Sequence, residues 1–90
     1  VGGAPGAPFS ASWACAPVGS YAVEFFWANL PAGENVTFTY NAGGVPYTEG
    51  PFTAPSGSVQ SYTASATAIN AVATVSDGTV INLPGALTCL

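Results

Sequence analysis

Apolar and polar residues alternate along most of this chain with a period of two. The densest apolar run is Ser20–Leu30, SYAVEFFWANL. Tyr21, Val23, Phe25 and Trp27 fall on one face of a strand, and Ala22, Glu24, Phe26 and Ala28 on the other. Both faces carry aromatics, and Glu24 is the one charge among them. The run predicts a strand central in its sheet, covered on both sides or offering Phe26 to a partner.

The rest of the chain divides around it. Val1–Pro8, VGGAPGAP, has no alternation and predicts an extended arm or linker, which leaves residues 9–90 as one domain. Phe9–Cys15 alternates weakly, with Phe9, Ala11, Trp13 and Cys15 on one face. Val36–Tyr40, VTFTY, is the cleanest strand, with Val36, Phe38 and Tyr40 inward. Val45–Thr48 predicts only a short edge strand, because Pro46 removes a ladder donor. Glu49–Gly57 then reads as a loop around Phe52.

Ser58–Ala64 and Thr67–Val75 predict two further strands, the second with Ile69, Ala71, Ala73 and Val75 on one face and the only slightly more polar Ala68, Asn70, Val72 and Thr74 on the other. A helix over Ala64–Val75 competes, but β-branched Thr67, Ile69, Val72, Thr74 and Val75 oppose it. Asp77-Gly78 between ATV and TVI predicts a two-residue type I′ hairpin. Thr79–Leu83 and Ala86–Leu90 complete the chain. Seven or eight short strands with turn residues between them predict an all-β antiparallel sandwich, immunoglobulin-like or related.

Charge narrows the function. The chain has no Lys, Arg or His, and its acids are Glu24, Glu34, Glu49 and Asp77, for a net charge of −4. Charged residues make up 4% of the chain, against about 25% in ordinary domains. Nucleic-acid binding needs Lys and Arg to displace phosphate counterions, and a basic membrane-surface helix needs them too. No apolar run reaches the roughly 18 residues of a membrane-spanning helix. Disorder is disfavoured by the 49% apolar content.

Candidate chemistry is sparse. Without His, neither a Ser-His-Asp nor a Cys-His nucleophile is available, and two thiols alone make no zinc site. A glycosidase needs two carboxylates about 5–9 Å apart, and Glu24, in an apolar strand, is the candidate, but an outward-facing or interface carboxylate is the preferred reading. Glu34, Glu49 and Asp77 lie beside turns, and no D-x-D-x-D spacing suggests calcium. The expectation is a non-enzyme without cofactors or metals.

Cys15 and Cys89 lie near the two ends. A disulfide between them suits a composition of extracellular type, and two buried free thiols are the other reading. Asn35-Val36-Thr37 is an N-glycosylation acceptor triplet. A chain that opens on Val1 leads to the expectation that a leader has been removed or that this is a segment of a longer protein.

The layout from the Leu30–Gly33 turn through Val36–Tyr40 to the hairpin ATVSDGTVIN resembles the immunoglobulin-like repeats of prokaryotic surface proteins and adhesins. Those are stacked β-sandwich modules of stalks and fibres. The resemblance is one of layout and transfers no functional residue. The antibody-type Cys…Trp…Cys spacing is absent. A disulfide joining the ends is similar to that of a family of bacterial cellulose-binding modules, which carry three spaced surface tryptophans where this chain has two.

The expectation that follows is an extracellular structural subunit or tandem repeat of a surface filament, pilus-like fibre or stalk. Its partners would be copies of itself or neighbouring repeats, joined through uncharged surfaces and the N-terminal arm. Val1, Pro5, Pro8, Phe9 and Phe26 are the interface candidates. The alternative is a carbohydrate-binding module of a secreted enzyme or adhesin that binds polysaccharide, with Tyr47 and Phe52 as sugar-stacking candidates. A third is a small secreted binding or inhibitor domain acting through Glu49–Gly57.

Overall fold

The alternating segments pair with one another in the computed structural model, which describes residues 8–17 and 21–89. Eight strands follow in order: β1 (Ser10–Cys15), β2 (Ala22–Ala28), β3 (Val36–Ala42), β4 (Val45–Phe52), β5 (Gly57–Tyr62), β6 (Thr67–Val75), β7 (Val80–Asn82) and β8 (Leu87–Thr88). The smaller sheet is ordered β1-β2-β5. The larger is ordered β4-β3-β6-β7, with β8 also pairing β6. All pairings are antiparallel. The protein is an all-β sandwich, and the described residues contain no helix.

The Ser20–Leu30 run supplies β2, which is central in the smaller sheet between β1 and β5. Val23, Phe25 and Trp27 face inward and are buried. They meet buried Val36, Phe38 and Tyr40 of β3 and Ala71, Ala73 and Val75 of β6. Trp13 from β1 and Leu83 after β7 complete this core. Its centre is aromatic: Phe25 stacks on Phe38 with ring centroids 4.7 Å apart, and on Trp13 at 5.9 Å. Both indoles are satisfied, Trp13 Nε1 donating to the Pro84 carbonyl at 3.0 Å and Trp27 Nε1 to Ala54 at 2.8 Å.

Three local expectations are corrected. The edge strand does not stop at Thr48 but runs to Phe52, because β4 is an edge and a donor missing on its outer side has no neighbour to lose. An extra residue in β4 opposite Val36–Phe38 shifts the register there. The bulge keeps Phe52 on the same inward face as Tyr47 and Glu49.

In β6, Val72 pairs Thr39 but Ile69 pairs Asn41, so three residues span what β3 covers in two. Asn70, with φ of 58°, takes up the extra residue; Asn tolerates this left-handed conformation better than most side chains. Beyond it the faces exchange: Ala68 is buried and Ile69 is exposed. Finally, the Asp77-Gly78 hairpin is not type I′, since Asp77 does not adopt positive φ. Gly78 N–H donates to the Val75 carbonyl, and Val75 N–H to Thr79. Ser76, Asp77 and Gly78 therefore form a three-residue loop, with Gly78 at φ of 99°.

Cys15 and Cys89 form a disulfide, with Cα atoms 5.3 Å apart. Cys15 ends β1 of the smaller sheet, and Cys89 follows β8 of the larger. The bond therefore ties the two sheets together as well as the two ends.

Candidate functional site

Strand register decides what each outer face displays. On the larger sheet, Thr48, Thr39, Val72 and Asn82 form one cross-strand row, and Thr37, Thr74 and Val80 a second. Ile69, beyond the Asn70 bulge, and Pro46 flank Asn41 in a third. This face carries methyls, hydroxyls and amides and no charge. The acids lie elsewhere: Glu49 points inward opposite Phe38, Glu34 and Asp77 lie in loops, and Glu24 lies on the other sheet.

The outer face of the smaller sheet is different. Ser12, Phe26 and Ser58 make one row; Ala14, Glu24 and Gln60 the next; Ala22 and Tyr62 a third. Phe26 is 38% exposed and Tyr62 59%. The Tyr62 hydroxyl donates to Gln60 Oε1 at 3.2 Å. A cleft of about 270 Å³ lies beside Phe26, lined by Ser10, Ala11, Ser12, Phe26, Trp27 and Ala28.

One polar chain crosses the interior, and periodicity did not reveal it. Ser61 is buried, and its hydroxyl donates to Glu49 Oε2 at 2.8 Å. Its single proton being used, Ser61 accepts from the Tyr40 hydroxyl. Tyr40 and Glu49 belong to the larger sheet and Ser61 to the smaller, so the chain links the layers. Burial raises the Tyr40 phenol above the ordinary tyrosine range; the Ser61 hydrogen bond works against this and Glu49 adds to it. Among the described residues, no buried side-chain polar atom lacks a partner.

The sequence-derived candidates fall as follows. Tyr47 and Phe52 each spend a ring face on the core: Tyr47 stacks on Tyr40 at 5.3 Å and Phe52 on Trp27 at 5.2 Å. They lie on the inward side of β4 and form no outward platform. Phe9 is half-buried against the core, and the exposed Pro8 offers its carbonyl to Asn29 Nδ2 at 3.5 Å. Phe26 is on the outer face, and Val1 and Pro5 lie outside the described residues.

Asn35 precedes β3 and exchanges hydrogen bonds with Ser76: Asn35 N–H donates to Ser76 Oγ, and Ser76 N–H to the Asn35 carbonyl. Ser76 Oγ in turn donates to Glu34. The Thr79 N–H donates to Asp77 at 2.9 Å, and this bond lowers the Asp77 pKa. Glu24 is half-buried on its outer face. Among the described residues, no three His, Cys, Asp or Glu side chains gather as metal ligands.

No protein-family model, curated protein or solved structure matches the chain.

Proposed function

We propose that this chain is a non-enzymatic structural module of an extracellular filament, pilus-like fibre or stalk. The observation that carries this reading is the uncharged outer face of the larger sheet. Every copy carries four acids and no cation. Two copies that met through an acid would bury a carboxylate with no countercharge, at a cost of several kcal/mol. The Thr-rich face is where copies pack without that cost. A patch five residues along β3 and four strands wide covers roughly 300 Å². That is below the about 800 Å² per partner of a stable pairwise interface, so the contact gains weight by repetition along a fibre or between tethered repeats.

Two further features support it. The disulfide suits a non-reducing, extracellular setting. With β1, β2 and β5 in one sheet and β3, β4, β6 and β7 in the other, the partition resembles that of immunoglobulin-like sandwiches, with β4 beside β3 as C′ lies beside C in variable domains. The arm at residues 1–8 adds contact between neighbours in this reading.

Negative-stain electron microscopy of native material tests it. Filaments or stalks with a regular axial repeat are expected, unchanged by moderate salt and kept at low pH, because neutral contacts are not screened and protonated acids repel less. Dispersed particles, or dissociation by salt alone, would sink it.

A further inference from the structure

We propose that the outer face of the smaller sheet binds a neutral polysaccharide. Phe26 and Tyr62 are its exposed rings, and the row holding Glu24 and Gln60 lies between theirs. Four residues of β5 separate the level of Phe26, which pairs Ser58, from Tyr62. The rings are therefore about 14 Å apart along the strand direction, the span of a short oligosaccharide.

The chemistry of the row between them selects the ligand. Glu24 is acceptor-only when ionised, Gln60 both donates and accepts, and Ser12 and Ser58 add hydroxyls beside Phe26. Sugars have apolar C–H faces that stack on aromatic rings and a rim of hydroxyls that donate to a carboxylate. The cleft beside Phe26, at about 270 Å³, suits one sugar ring better than a drug-sized ligand.

Charge decides against the competing occupants. A second copy brings no cationic side chain to Glu24 and would desolvate it without a countercharge. A basic peptide would find one carboxylate among neutral groups rather than an acidic cluster. An anionic glycan meets Glu24 and a chain of net charge −4. A neutral hydroxyl-rich polymer satisfies all the groups at once. This inference goes beyond the structural reading and does not depend on it: a surface module can pack through one sheet and display the other.

The test is a glycan array carrying neutral glucans, mannans, galactans and N-acetylglucosamine polymers beside anionic glycans, followed by titration of the strongest neutral oligosaccharide. Neutral glycans are expected to bind at least tenfold more tightly than anionic ones. Phe26→Ala and Tyr62→Ala should each weaken binding at least tenfold, and Glu24→Ala also weakens it. Tyr47→Phe, on the inward side of β4, should leave affinity unchanged. Thermal melts of each variant establish that it is folded, and Tyr62→Phe keeps the ring should Tyr62→Ala fail to fold. No neutral glycan retained, binding indifferent to both exposed rings, or a self-association abolished by Phe26→Ala would overturn the proposal. Filaments without glycan binding would refute this inference alone, and glycan binding without filaments would refute only the structural reading.

Discussion

Tyr40 sits in β3 among apolar neighbours, where its hydroxyl must find a partner because burying it unbonded costs a few kcal/mol. It finds Ser61 across the sandwich, and Ser61 finds Glu49. Burial makes the neutral phenol the form the fold favours. The folded pKa therefore lies above the unfolded one. Its contribution is whole below the unfolded value of about 10 and is lost as pH rises through the folded value. We expect unfolding titrations to show stability falling above that pH, and Tyr40→Phe to remove part of the fall. At neutral pH the same substitution should cost about 1 kcal/mol for the lost hydrogen bond. An alkaline limb identical in both proteins would contradict this. Nothing in the alternation distinguishes Tyr40 from a Phe, since the hydroxyl's partner, Ser61, is 21 positions away in sequence.

At the level of elements, alternation made β2, β3 and β6 legible, because each has one face sealed by the opposite sheet. It failed where an extra residue breaks the period. The faces of β6 exchange at Asn70, so Ile69 is exposed although the pattern places it on one face with the buried Ala71, Ala73 and Val75. In β4, Gly50 and Pro51 hid the part of the strand beyond Thr48, since an edge tolerates residues that a central strand rejects. For the same reason Tyr47, assigned from sequence to the short edge strand, and Phe52, assigned to the following loop, are core-facing rings of β4 rather than surface ones. Alternation already singled out Phe26 as the ring β2 could offer to a partner, and only the register shows that Tyr62 shares its face. Gly50 is the tightest point of β4: φ is 115°, and a Cβ there would lie 2.9 Å from the Val36 carbonyl oxygen and 3.2 Å from Thr37 Cα. Both contacts are backbone and cannot swing aside. Gly50→Ala should cost roughly 1–3 kcal/mol, read as a lower urea midpoint. An unchanged midpoint would show that β4 adjusts freely at the bulge.

For the whole molecule, a small sandwich rests on one aromatic core and one covalent tie between its layers. The disulfide spans 74 residues, and the chain-entropy model assigns a loop of that length about 4.5 kcal/mol. Replacing both cysteines by serine should lower unfolding free energy by about 2–5 kcal/mol, measured by denaturant titration. Equal stability would mean that β1 and the chain beyond β8 are held by packing alone. The two faces of the sandwich then divide the surface by charge. One presents threonine methyls and hydroxyls without an acid, and the other presents Glu24 between two exposed rings. We propose that copies meet through the first. Sedimentation velocity over a concentration series, with Val72→Glu beside the native sequence, tests it most directly. The native chain is expected to show a sedimentation coefficient that rises with concentration and is indifferent to added salt, and Val72→Glu to stay monomeric at every concentration. A native chain that remains monomeric throughout, or a Val72→Glu variant that associates as strongly, would contradict it.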